Sequence, residues 1–268
     1  MRRSSARRCR LFRRCVIHLH AAFPGKRRLL SARTIQRDHA ILHAIFPLAE
    51  RREYRPGNPV RLAKSPKADA HNPVILTADQ YEALLRECER NPMLALYALV
   101  LGEAGLRCES EALWLQWPDM KDGFLEIVSG RNEHRTKSGK SRRVPLSPRL
   151  AAALRSHAAQ FRLGGGPWIF SHGHGEKAAG NRIQKMRASF RAAAMRAGLP
   201  TGFHAHDLRH RAITLLVEAG VSPTDVQAFA GHADIAMTMG YFHAMGQHVA
   251  RIREVWNSGQ SLQRITGN

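Results

Sequence analysis

Acidic residues are scarce: 21 Asp and Glu stand against 42 Lys and Arg in 268 residues, a formal net charge of +21. Folding does not need that imbalance. It points to a polyanionic partner, nucleic acid first and an anionic membrane second. No window approaches 18 consecutive apolar residues, which excludes a spanning helix. Cysteine is sparse as well, at Cys9, Cys15, Cys88 and Cys108. Their spacing fits neither a zinc pair nor a disulfide framework and suits reduced thiols in a cytosolic protein. Hydrophobic residues reach 44%, enough to bury a core, so disorder over the whole chain is excluded.

The charge is unevenly spread. Residues 1–37 hold 12 Lys and Arg and no acid. The opening MRRSSARRCRLFRRC lacks the apolar stretch of a secretory signal. A disordered basic arm over 1–30, an organelle transit peptide and a wrongly assigned start all suit this composition. From about Ser31 the pattern turns helical, with Ile35, His39, Leu42, Ile45 and Phe46 on one face. Tyr54 to Ala70, rich in Pro, Lys and Arg, reads as a linker.

A new domain opens at about residue 71. Thr77 with Gln80 forms a capping box before a stripe of Tyr81, Leu84, Leu85 and Cys88. A second helix follows Pro92. Phe124–Val128 and Ser141–Leu146 predict two strands around a basic turn, Arg131 to Lys140. Ser147-Pro148 and Ser222-Pro223 each supply an N-cap and a first-turn proline. Further helices are expected over about 148–161 and 181–197, with an apolar face of Leu208, Ala212, Leu215, Leu216 and Ala219 beyond them. The class is therefore mostly α with a small β-hairpin or sheet, α+β.

Four segments carry candidate chemistry. They are Gly105-Leu106-Arg107 with Glu111 behind it, the Thr136-to-Arg142 turn holding Lys137, His206-Asp207-Leu208-Arg209-His210, and Gly231-His232 with Thr238 and Tyr241 beyond. Singly each has a bland reading: a solvated arginine, an exposed turn lysine, a capping histidine, a core tyrosine. Together they supply two arginines, a lysine, two histidines and a tyrosine, with no acidic pair to hold a metal. Two arginines can fork onto the oxygens of one phosphate and oppose the charge of a five-coordinate phosphorane. A tyrosine, with a free pKa of about 10, needs such help and a base to become a nucleophile. A lysine in a hairpin can protonate a leaving oxygen. These are the parts of metal-free phosphoryl transfer through a phosphotyrosine. The H-x-H pairs, among them His18 with His20 and His172 with His174, have no Cys or carboxylate cluster to complete a zinc site. Trp114 and Trp117 read as core.

The ordered set resembles the tyrosine recombinase, or phage integrase, family: Arg in a G-L-R segment, Lys in a hairpin, H-x-x-R, then G-H and a Tyr nine residues later. The likeness is strong over about 75–245 and weaker back to Ser31. Glu111 stands one residue further from Arg107 than in the common G-L-R-x-x-E form. The resemblance implies a partial helical core-binding-like segment with linker over 31–70 and a catalytic domain with C-terminal tail over 71–268. It implies that Arg107 and Arg209 clamp the scissile phosphate and that Lys137 is the general acid. His206 would help take and return the tyrosine proton, His232 would bind the phosphate or shape the pocket, and Tyr241 would be the nucleophile. It implies site-specific integration or excision of DNA in the cytoplasm, on the nucleoid, by a homotetramer on two double-stranded sites. Accessory DNA-bending proteins would assist, and no cofactor, metal or membrane would take part. Arg131, Arg135, Lys140, Arg142 and Arg143 are expected to touch the DNA backbone. Two other readings stay open at this point: a shortened, non-catalytic DNA-binding derivative, and a type IB topoisomerase-like relaxation activity.

Overall fold

The computed structural model describes residues 31–54, 56–67, 72–131, 136, 138–162, 166–172 and 180–245. The expected arm over 1–30, the tail after 245, Lys137 and Arg135 lie outside them. The chain divides into two compact units, Met1–Asn72 and Pro73–Asn268.

In the first unit one long helix, α1 (Ala32–Arg51), starts from Ser31, whose hydroxyl accepts from the Thr34 amide. Pro47 sits inside it and has no N–H for the His43 carbonyl. The Asn58 side-chain amide donates to that orphan at 3.2 Å, while its oxygen caps a single 3-10 turn, Pro59–Leu62. Among the described residues the supposed linker therefore has a structured turn, and it is tied to α1 by Gln36 on the Pro66 carbonyl and His39 on the Ala63 carbonyl. No residue of α1 is buried, and Ile35, Ile41, Ile45 and Leu48 are exposed.

Among its described residues the second unit is mostly helical with a small antiparallel sheet. Its helices are α2 (Ala78–Cys88), α3 (Pro92–Glu103), α4 (Pro148–Phe161), α5 (Arg187–Arg196), α6 (Ala205–Glu218), α7 (Pro223–Ala230) and α8 (Ile235–Met245). The Thr77–Gln80 capping box forms as expected, and Ser147 and Ser222 cap α4 and α7. Leu94, Leu96, Tyr97, Ala98, Val100, Leu101 and Gly102 are buried around nearly the whole of α3. A helix apolar on all sides belongs in the interior. It packs against α2, α4 and α6 and forms the axis of the domain.

The sheet has three strands in the order β1 (Met120–Lys121), β2 (Phe124–Ile127) and β3 (Arg142–Pro145). The two-strand expectation missed β1, whose two residues are too few to show alternation. Leu125 pairs with Val144 and Ile127 with Arg142. With a side-chain period of two, Arg142 shares the inward face with the fully buried Val144, and Arg143 points outward.

Helix α5 starts at Arg187, six residues later than expected. The stretch before it is held extended by a bridge between Ser171 and Arg182. The Arg182 guanidinium lies 4.0 Å from the Trp114 ring centroid. Trp117 is core, while Trp114 is half-buried under that arginine. Helix α6 buries two faces. Leu208 meets the main core, Ala212 is buried, Ile213 and Val217 join Val226 and Ala230 in a second cluster, and Leu215 is exposed. A single-stripe reading cannot place a helix sandwiched on two sides. Among the described residues no helix is long and apolar enough to cross a membrane.

Candidate active site

The site forms where three chain ends meet: the loop after α3, the start of α6, and the turn from α7 into α8. Helix α3 stops at Ala104, and Gly105 takes φ +62°. A Cβ there would stand 2.7 Å from the Phe229 ring, so only glycine turns the chain here. Arg107 then opens a wide turn. Its carbonyl accepts from both the Glu111 and the Ala112 amides, at 3.2 and 3.0 Å. That widening absorbs the extra residue between Arg107 and Glu111 and brings the Glu111 carboxylate back onto the Arg107 amide at 3.0 Å.

Glu111 is 2% exposed and is the hub of the site. It pairs with the Arg107 guanidinium, takes both terminal nitrogens of Arg142 at 3.1 and 2.8 Å, and lies 3.9 Å from Arg209. Burial pushes its carboxyl up, yet the hydrogen bonds and charge of Arg142, with those of Arg107, outweigh burial and hold its pKa at about 2. Three guanidinium groups thus surround one carboxylate. Two positive charges remain unneutralised in a largely dry site.

The arginines are oriented by a helix end. The last carbonyls of α7 have no partner within their own helix and carry the negative end of its dipole. Arg209 donates to the Ala230 carbonyl at 2.6 Å, and Arg107 to the Gly231 carbonyl at 3.0 Å. Arg209 also donates to the Gly105 carbonyl at 2.5 Å, tying the third loop to the first. Burial, then the charge of Arg107, lowers its pKa to about 10, so it stays charged at neutral pH.

Tyr241 follows on α8. Its ring stacks against His210 and His232, with centroids 5.7 and 6.2 Å away. Its hydroxyl shares a 2.6 Å hydrogen bond with Nδ1 of His210. Burial raises its pKa, against the opposing charge of Arg209. His232 is buried, with Nδ1 2.9 Å from the hydroxyl of the fully buried Thr238. Burial, then Arg209, Arg107 and Arg142, lowers the His232 pKa to about 4. His206 keeps solvent access, yet the desolvating surroundings first, and His210 and Arg209 next, push its pKa to about 4 as well. Both rings are neutral at pH 7. Among the described residues no group of three or more His, Cys, Asp and Glu sits close enough to hold a metal ion.

Arg107, His206, Arg209, His232 and Tyr241 therefore come together, and Lys137 and Arg135 lie outside the described residues. Arg142, expected on the DNA backbone, is corrected: it faces inward, spent on Glu111 and on the Phe229 carbonyl at 2.9 Å, because strand alternation places it beside Val144. Arg131 forms a two-pronged pair with buried Asp119, at 2.8 and 2.6 Å. Lys140 and Arg143 remain exposed. Arg142 as a second partner of Glu111, Thr238 behind His232, and His210 on the tyrosine hydroxyl are absent from the sequence assignment. The signals were there: alternation for Arg142, a three-residue step from Thr238 to Tyr241, and a four-residue step from His206 to His210.

Gly231 tests how tightly the site is packed. It ends α7 at φ +64°, and a Cβ would lie 2.8 Å from the Arg142 guanidinium, which Glu111 holds in place. Gly231→Ala is expected to cost about 1–3 kcal/mol in backbone strain. Strand cleavage should fall further than stability accounts for, because Arg107 is anchored on that same residue. Thermal melts beside single-turnover cleavage measure the two losses. Cleavage falling no further than the folded fraction contradicts this account of Gly231.

The sequence profile of the phage integrase family matches residues 75–248. The chain is 31% identical over 232 residues to tyrosine recombinase XerC of Xanthomonas axonopodis pv. citri (strain 306), covering 84% of this chain and 72% of that one. It is 30% identical over 237 residues to tyrosine recombinase XerD of Caulobacter vibrioides, covering 83% and 74%. Among solved structures it is similar to the Tn1549 transposon integrase in complex with transposon right end DNA. There the TM-score is 0.68, with 20% identity and coverage of 84% of this chain and 80% of that one. A lambda integrase dimer bound to a COC' core site gives a TM-score of 0.58 at 21% identity, covering 74% and 71%.

Proposed function

Since the chain belongs to the phage integrase family of tyrosine recombinases, we propose that it cuts and rejoins DNA through a covalent link to Tyr241. Its activity is site-specific DNA recombination and its partner is DNA. The observation that carries the assignment to Tyr241 is local. The Tyr241 ring stacks on His232, which lies within reach of the charges of Arg209 and Arg107, the two guanidinium groups anchored on the carbonyls that end α7.

In this reading Arg107 and Arg209 face the non-bridging oxygens of the scissile phosphate. The net excess of positive charge around Glu111 stabilises the added negative charge of the five-coordinate state. Neutral His232, fixed by Thr238, offers a further hydrogen bond to the phosphate. The tyrosine oxygen bonds to phosphorus, the bond to the 5′-oxygen breaks, and Lys137 protonates that oxygen. The product is a 3′-phosphotyrosyl link with a free 5′-hydroxyl. The link stores the energy of the broken phosphodiester, so the reverse attack needs no nucleotide. Lys140 and Arg143 on the outer side of the hairpin meet the DNA backbone. Four protomers would act on two duplexes, with the tail carrying Val249, Ile252, Val255 and Trp256 coupling neighbours and with DNA-bending proteins assisting, on the nucleoid in the cytoplasm. The neighbours seen with transposon-end DNA and with a core site support duplex DNA as the partner.

The test is a nicked duplex from which the cut fragment diffuses away, so that cleavage cannot reverse. An SDS-resistant protein–DNA adduct is expected, formed equally well in EDTA and without ATP. An adduct that requires a divalent metal or a nucleotide contradicts the mechanism.

A further inference from the structure

The phenolic proton of Tyr241 has to leave as its oxygen attacks, and the family resemblance assigns that task to His206. The structure puts another group on the oxygen. Nδ1 of His210 lies 2.6 Å from the tyrosine hydroxyl, and the two rings stack at 5.7 Å with 30° between planes. The His206 ring meets His210 edge-on at 5.0 Å. We propose that His210 is a catalytic residue, the base that takes the Tyr241 proton during cleavage and returns it during religation.

The inference rests on Tyr241 being the nucleophile and deepens that reading. General bases work within about 2.6–3.2 Å of the atom they deprotonate, which His210 already satisfies. The step balances. The tyrosine oxygen bonds to phosphorus, its proton moves to Nδ1 of His210, the phosphorus bond to the 5′-oxygen breaks, and that oxygen takes a proton from Lys137. On religation every transfer reverses. To accept at Nδ1, the His210 ring must be neutral with its proton on Nε2. With His210 on the phenol, His206 is left to donate to the phosphate.

The test compares His210→Ala and His210→Asn with the full-length chain in single-turnover cleavage of a nicked duplex. Asparagine places an amide near the Nδ1 position. It keeps a hydrogen-bonding partner for the phenol but cannot take its proton. Both variants are expected to cleave about 10²-fold or more slowly, the size of a lost general base, with DNA affinity and melting temperature near those of the parent. Added imidazole should recover part of the rate. So should raising the pH towards the phenol range, at about tenfold per unit. A substrate with sulfur at the 5′-bridging position, a leaving group that needs no acid, should relieve Lys137→Ala and leave the His210 variants slow.

Cleavage by His210→Asn at the parental rate overturns the inference and makes the residue a positioning one. Relief of the His210 variants by the sulfur substrate overturns it too, by assigning His210 to the leaving group. In each case the parental adduct through Tyr241 survives, so the function proposed above stands. A parental chain that forms no adduct overturns both.

Discussion

Tyr241→Phe is expected to abolish covalent capture of DNA while leaving affinity within about twofold. The substitution removes one oxygen and nothing else. The Phe ring can keep the stacking against His210 and His232. Affinity comes mainly from phosphate contacts by basic side chains, and those are untouched. The lost hydrogen bond to His210 costs about 1 kcal/mol of stability, far too little to unfold the domain. Adduct yield on a nicked duplex, measured beside a binding titration at fixed salt, separates the two properties. Equal loss of both would make Tyr241 a structural residue and remove the basis of the proposed chemistry.

Glu111→Ala is expected to damage folding and catalysis together. Glu111 bonds the Arg107 amide and two guanidinium groups and lies near a third, and the arginine side chains are only 3–12% exposed. Removing the acid strands three buried cations, at a cost of about 3–5 kcal/mol. That is a large part of the 5–15 kcal/mol typical of a whole domain. Glu111→Gln should fare little better, because its amide presents hydrogens to guanidinium hydrogens. The pH dependence gives the signature. A carboxyl with a pKa of about 2 when folded, against 4.5 when unfolded, adds stability that is fully present above pH 4.5 and lost as the pH falls towards 2. The loss amounts to about 3 kcal/mol. Urea melts should therefore show a gap between parent and Glu111→Gln that narrows steadily below pH 4.5. A gap constant with pH would mean that Glu111 acts by packing alone. Above that window the depressed pKa of His232 adds a separate loss between pH 6.5 and 4, common to both proteins.

Local signals read directly from the residues were the reliable ones. The Thr77–Gln80 capping box and the Ser-Pro starts of α4 and α7 are local chemistry, and each forms where its residues stand. The four active-site segments could be found because the order and spacing of reactive side chains survive in one dimension. What failed needed the third. Arg142 looked like one more surface cation; alternation puts it on the face of Val144, and the pairing opposite Ile127 makes that face the core one. The stretch 181–186 has a helical composition, but its bridge to Ser171 holds it extended. The fixing of Arg107 and Arg209 by the carbonyls ending α7 joins residues more than 20 apart in sequence, and 124 apart for Arg107. No spacing rule contains such a contact. His210 lay in plain view beside Arg209, and only the approach of α8 gives it a task.

The most direct test of the account is to find the residue that becomes joined to DNA. Tryptic digestion of the adduct after nuclease trimming should place the nucleotide remnant on peptide 212–251, in which Tyr241 is the single tyrosine. Fragmentation should localise the remnant to Tyr241 as a 3′-phosphotyrosyl link. A remnant on any other residue, or a link through a 5′-phosphate, would contradict the account.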